Sequence, residues 1–156
     1  MTRRDFFGLC TFFLLCGFVA AVSVLVTVPN VAGWYHGLHH PSFRPPDNLF
    51  APIWTILYVL IAVSGWLVWS KVGFRAPVAM TLYGIQLVLN LAWPLLFFGG
   101  HHLGAALADS ALLLAAIALT IAAFWRVEKI AAVLLVPYFL WVGFATALNA
   151  AIWRLN

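Results

Sequence analysis

The stretch LGAALADSALLLAAIALTIAAFW, from Leu103 to Trp125, carries a single charged residue, Asp109. About 20 apolar residues at about 1.5 Å rise cross a hydrocarbon core of about 30 Å, so this stretch is long enough to span a bilayer as a helix. Four more runs of the same kind flank it, at residues 6–28, 51–69, 76–98 and 130–152. Together they fill almost the whole chain. The fold they predict is an all-α membrane protein, a five-transmembrane-helix bundle forming a single domain over residues 1–156. Within each helix the backbone satisfies its own hydrogen bonds, and lipid covers the outer faces.

Composition agrees. Hydrophobic residues make up 65% of the 156 and charged residues 8%, against about 25% charged in an ordinary globular chain. Mean hydropathy is +1.05. The formal charge of +4 is spread singly or in pairs at span ends, which excludes a basic nucleic-acid patch and suggests membrane orientation instead. Arg3, Arg4, Lys71, Arg75, Arg126 and Lys129 fall on one side of a five-span topology, while only Arg44 and Arg154 fall on the other. The positive-inside rule then makes the amino terminus cytoplasmic in a bacterial membrane and turns the first loop and the carboxyl terminus outward. A competing reading of the start, Thr2-Arg3-Arg4-Asp5-Phe6-Phe7 as a twin-arginine leader with a cleavage site at Val19-Ala20-Ala21, is disfavoured by the length of the apolar run. Cys10 and Cys16 lie on different faces of the first helix, so neither a disulfide nor a CxxC site is expected.

Residues 29–50 form the one long polar interruption, and a loop of that length is either functional or disordered. Trp34, Tyr35, Leu38, Phe43 and Phe50 give it apolar anchors, and Pro41, Pro45 and Pro46 stiffen it, which favours a packed lid. An aromatic belt at the bilayer surface is the plainer account of some of these rings, Trp34 above all. His36, His39 and His40, and His101 with His102 in the other loop on that side, have no carboxylate or cysteine at ligand spacing, so no metal site is expected.

Three spans carry polar and aromatic stripes. Gln86, Asn90 and Trp93 share one face of the third, Trp54 and Tyr58 one face of the second, and Tyr138, Trp141, Ala145 and Asn149 one face of the fifth. Such stripes can be interhelical glue or the wall of a site for a flat, hydrophobic molecule with a few polar groups. Asp109 is the one acid well inside an apolar run, suited either to an ion pair with Arg154 or to a proton relay. Pro94 and Pro137 sit where kinks can open a cavity.

These residues also carry a resemblance. Trp34-Tyr35 with Leu38, Pro41-Ser42-Phe43-Arg44-Pro45-Pro46, then Pro52-Ile53-Trp54-Thr55-Ile56-Leu57-Tyr58, Gln86 through Pro94 with Phe97-Phe98-Gly99, Pro137 through Trp141, and Leu148-Asn149 with Trp153-Arg154 resemble, in order and over nearly the whole chain, the TspO/MBR family of translocator proteins. Members are also called tryptophan-rich sensory proteins or peripheral-type benzodiazepine receptors. The resemblance implies a commonly dimeric bundle with a pocket beneath the first loop that takes porphyrins and isoquinoline or benzodiazepine drugs. It implies that Tyr35 and Pro46 belong to the lid, that Trp54, Asn90 and Trp141 line the pocket, and that Gln86, Trp93, Tyr138 and Ala145 lie near it; the Trp54–Tyr58 stripe is read as part of the same site. Where the family's cholesterol-recognition segment has an aromatic residue before the final Trp-Arg, this chain has Ala150 and Ala151.

The expected function is therefore a membrane protein that binds protoporphyrin or another tetrapyrrole as carrier, scavenger or sensor, with no cofactor required and no nucleic-acid partner. A light-dependent porphyrin-degrading enzyme, in which Trp54 and Trp141 would carry the chemistry, is the alternative; the sequence shows no acid–base pair or activated nucleophile for turnover. An ion-coupled exporter is a third reading, and it lacks the equal halves that inverted repeats provide. A homodimer is expected through either the fourth span, with Gly104, Ala108, Ala111, Ala115, Ala118 and Ala122, or the third, with Ala79 and Gly84.

Overall fold

The computed structural model describes residues 3–156, so Thr2 of the leader motif lies outside the described residues. Helix α1 runs Arg3–Val31, α2 Phe50–Val72, α3 Pro77–Pro94, α4 Leu103–Trp125, α5 Lys129–Leu134 and α6 Val136–Leu155. All elements among the described residues are helical, and five helical segments are long and apolar enough to cross a membrane, α5 and α6 together making the fifth. The helix neighbours close a ring: α1 packs on α2, α2 on α5, α5 and α6 on α4, α4 on α3, and α3 on α1.

Apolar side chains gain little by leaving lipid for one another, so close approach and hydrogen bonds must join these helices. Gly8 supplies the first: a Cβ there would lie 2.1 Å from the Trp69 ring. Gly65 does the same between α2, α1 and α3, since its Cβ would meet Tyr83 at 2.5 Å and Phe12 at 2.8 Å. Hydrogen bonds add the second. Ser64 Oγ donates to the Ala131 carbonyl at 2.7 Å, Tyr83 Oη to that of Ile61 at 3.1 Å, and Trp66 Nε1 to that of Asp5 at 2.9 Å. Lys71 pairs with Glu128 at the same end, and Glu128 also accepts from the Ile130 amide, capping α5. These contacts pull the carboxylate below the usual glutamate range, the Lys71 bond most.

Both kink prolines act at element boundaries. Pro137 stands in the first turn of α6, where its missing N–H leaves no bond unmade, and the fifth span breaks at Leu135. After Pro94 the chain widens into a π turn over Leu95–Gly99, with the Gly100 amide donating to Leu95 O at 2.8 Å. That turn buries both Phe97 and Phe98. The first span reaches Val31, beyond the Val28 limit expected from the apolar run, and the lid shortens accordingly. Pro29 lies inside the helix, and Asn30 Nδ2 donates to the Val26 carbonyl at 2.9 Å in the turn that carries α1 past it.

Candidate functional site

Between α1, α2, α3 and α6 lies a cavity of about 560 Å³, walled almost wholly by apolar atoms. Two residues of α4, Ser110 and Leu113, reach its back wall, and the lid closes one end through Tyr35 and Asp47. Of the residues singled out in the sequence, Tyr35, Trp54, Tyr58, Asn90, Trp93, Trp141 and Ala145 line it. Pro46, Gln86 and Tyr138 do not stand on the wall. Pro46 is exposed at the entry to a 3-10 turn over Asp47–Leu49. Tyr138 is wholly buried behind Asn90, and Gln86 is wholly buried with neither amide atom partnered among the described residues.

The amides on the wall are engaged within the protein. Tyr58 Oη donates to Asn90 Oδ1 at 2.7 Å, and Asn90 Nδ2 donates to Tyr138 Oη at 2.8 Å, which ties the second, third and fifth spans together. Trp93 Nε1 donates to Asn149 Oδ1 at 3.1 Å, and Asn149 Nδ2 to the Leu103 carbonyl at 3.0 Å. The stripes are therefore glue and wall at once. Trp141 Nε1, by contrast, is buried and has no acceptor among the described residues. Rings pack edge to face around the space: Trp54 lies 6.3 Å from Tyr138, and Phe50 lies 5.7 Å from Trp141. Trp93 stacks on Phe97 at 4.8 Å.

The lid is fastened from several directions, and histidines do much of the fastening. His36 Nε2 meets Asp47 Oδ2 at 2.7 Å, Arg44 pairs with Asp47 Oδ1, and the Arg44 guanidinium lies 5.0 Å over the Tyr35 ring. His40 Nε2 donates to the Tyr35 carbonyl at 2.9 Å. The carboxamide of Asn156 accepts from the His39 amide at 2.9 Å and donates to its carbonyl at 3.0 Å. From the α3–α4 turn, His101 stacks on Trp34 at 4.1 Å and hydrogen-bonds Asn30 at 3.1 Å, holding a positive φ of 56° to do so. Trp34, the belt candidate, instead packs against Phe97 and Phe98 as part of the lid. Burial lowers the affinity of His40 for a proton and raises the pKa of the Tyr35 hydroxyl, the latter partly offset by Arg44. No three potential metal ligands gather among the described residues. Of the two readings of Asp109, the ion pair with Arg154 is not formed: Asp109 Oδ2 is buried without a partner among the described residues, while Arg154 is exposed.

The first span is the wall that the stripes did not suggest. Cys16, Ala20, Ser23 and Thr27 face the cavity at spacings of four, three and four, a stripe of small and weakly polar residues in an otherwise bulky run. That stripe was the available signal. Other wall residues on α1 and α2 are exposed, Val24 at 57%, Val28 at 64% and Val59 at 43%, so the cavity opens sideways between those two helices. The helices converge at the opposite end, where Gly8 meets Trp69 and Gly65 meets Phe12.

A five-span helical bundle with a lidded, aromatic, side-opening cavity defines a multi-pass integral membrane protein with room for a hydrophobic small molecule. Residues 12–154 match the TspO/MBR family, and the chain belongs to that family. It is 43% identical to the tryptophan-rich protein TspO of Chlorobaculum tepidum over 154 residues, 96% of this chain and 92% of the relative. It is likewise 43% identical to the human translocator protein over 126 residues, covering 79% and 75%. Protein CrtK of Rhodobacter capsulatus is 32% identical over 148 residues, covering 93% and 90%. This membership supports a ligand-binding or sensing role at the membrane.

Proposed function

We propose that this protein binds a tetrapyrrole, protoporphyrin foremost, in the lidded cavity and serves as its carrier, scavenger or sensor. The observation that carries the reading is the wall itself: Trp54, Tyr58, Trp93 and Trp141 surround a space of about 560 Å³ whose amides already have partners. Sites for organic ligands run from about 300 to 1,000 Å³, with apolar walls and few polar groups. Such a wall favours a broad, flat, apolar body that stacks against ring faces and edges, each aromatic pair adding about 0.5–1.5 kcal/mol beyond area burial. The macrocycle is ligand here, and no resident cofactor is required. Bacterial relatives make a bacterial membrane the natural setting.

Titration of the purified protein in lipid with protoporphyrin, followed by tryptophan fluorescence in darkness and in light, tests the reading. Saturable quenching in the dark with the porphyrin spectrum conserved is expected. Absence of saturable quenching would overturn it. A new absorbing product under light, lost in Trp54→Phe or Trp141→Phe, would shift the assignment to a light-dependent porphyrin-degrading enzyme.

A further inference from the structure

We propose that the end of the bundle carrying the α2–α3 and α4–α5 turns is a docking surface for anionic phospholipid, which it gathers from the adjoining leaflet into the lipid shell of the protein. The inference is independent of the cavity and of the tetrapyrrole reading. Charge is divided very unevenly between the two ends. Arg3, Arg4, Lys71, Arg75, Arg126 and Lys129 stand at this one against Asp5 and Glu128, while Arg44 and Arg154 stand at the other against Asp47 and Asp109, so the whole formal charge of +4 sits here. All six of these basic residues are exposed.

The protein does not neutralise this charge itself. Glu128 pairs with Lys71, the other five cations form no ion pair among the described residues, and Asp5 can offset at most one of them. Two are held over indole rings instead, the Arg4 guanidinium 5.0 Å from the Trp69 ring and the Lys129 ammonium 5.9 Å from that of Trp125. A ring face steadies a cation without cancelling its charge. Trp125 is 51% exposed, and a tryptophan at the end of a span settles at the membrane–water interface, which sets the basic rim at headgroup depth. Lipid phosphates are then the nearest counter-ions. A zwitterionic lipid brings its own cation with the phosphate, whereas an anionic lipid brings an uncompensated charge, so the rim favours the anionic one. The opposite end supplies an internal comparison, because Trp153 is 52% exposed there and the acids match the bases in number.

The experiment reads the lipid around each end separately. The full chain is reconstituted in an equal mixture of phosphatidylcholine and phosphatidylglycerol, with brominated acyl chains, which quench tryptophan on contact, placed on one lipid or the other. Trp125→Phe and Trp153→Phe identify the quenching that belongs to each end, and the ratio of quenching by the two brominated lipids is the quantity compared. Around Trp125 phosphatidylglycerol is expected to win by about fivefold, the pull of one basic residue at an anionic surface, with a ratio near one around Trp153. The preference is expected to vanish in the triple variant Arg75→Gln, Arg126→Gln, Lys129→Gln, and in the wild type at 1 M salt, where charges are screened within about 3 Å. Equal quenching by the two lipids around Trp125 overturns the surface. So does a preference that survives the triple variant or the salt, or one of the same size around Trp153. Displacement of phosphatidylglycerol by soluble glycerol phosphate also overturns it, since the rim would then read free phosphate and not a leaflet. Should the triple variant fail to fold, the salt series on the wild type decides alone.

Discussion

Asn90 shows how one side chain serves both architecture and site. Its amide is a bridge between Tyr58 and Tyr138, so Asn90→Leu leaves two hydroxyls without their partner, each worth about 1–3 kcal/mol when stranded in a buried setting. We expect that variant to lose thermal stability in lipid as well as change ligand preference. Trp54→Phe and Trp141→Phe keep a ring on the wall with less stacking area, and should weaken porphyrin binding by about 0.5–1.5 kcal/mol with stability near that of the parent. Trp153→Phe is the control, because Trp153 is absent from the wall and half exposed. Fluorescence titration and a melting curve of each variant separate the two effects; equal behaviour of Trp153→Phe and Trp141→Phe would put the ligand elsewhere. His40 offers a second test. Burial holds its pKa below the ordinary 6.5, and Arg44 and His36 act in the same direction, while the Tyr35 carbonyl and Asp47 oppose it. The closed lid therefore binds fewer protons at this ring than the open one: its contribution is full above about pH 6.5 and declines as pH falls through that value. Amide-exchange protection of residues 35–46, corrected for intrinsic rates, should drop between about pH 7 and about pH 5.5, and drop less in His40→Gln. Protection that rises on acidification in the parent would overturn the assignment to His40.

At the scale of elements, α4 is the part most legible in the sequence, because its apolar run and its helix share both ends, Leu103 and Trp125. Nothing but hydropathy was needed there. The end of α1 was less legible, since Pro29 normally signals a stop and the helix nevertheless runs on to Val31. Three of the cavity's walls were visible as aromatic and amide stripes, while the fourth, on α1, was hidden by side chains that line space through being small. The π turn after Pro94 was likewise beyond periodicity, because the register change that buries two successive phenylalanines appears only once the helix is built. The glycines at helix contacts are the elements' weakest tolerance for change. Gly65→Ala forces a methyl group toward Tyr83 and Phe12, and overpacking of that kind costs about 1–3 kcal/mol. Melting in lipid should fall for Gly65→Ala and hold for Gly17→Ala, whose added Cβ would have no neighbour within 4 Å.

For the whole molecule, five spans place the two chain ends on opposite faces, and the basic residues cluster at the end carrying Arg3, Arg4, Lys71, Arg75, Arg126 and Lys129. Expressed in a bacterial inner membrane, the protein should give an active alkaline phosphatase when fused at the carboxyl terminus. Activity there of a reporter that works only in the cytoplasm would reverse the orientation. Both faces considered for pairing of copies present small residues outward: Ala79 is buried in its own bundle but Gly84 is exposed on α3, and Ala108, Ala111, Ala115 and Ala118 stand exposed on α4.

The side opening between α1 and α2 changes the reference state against which affinity is reckoned. A ligand that arrives through it comes from hydrocarbon, not from water, and so has shed its hydration shell before it meets the protein. Greasiness then fixes how much ligand the bilayer stores, while the protein selects by shape and ring stacking. Occupancy should follow the mole ratio of ligand to lipid: doubling inert lipid at constant protein and ligand should roughly halve binding when most ligand is dissolved in the bilayer and the sites are far from saturation. An occupancy that tracked only the aqueous concentration would mean that the lid, and not the seam, is the door.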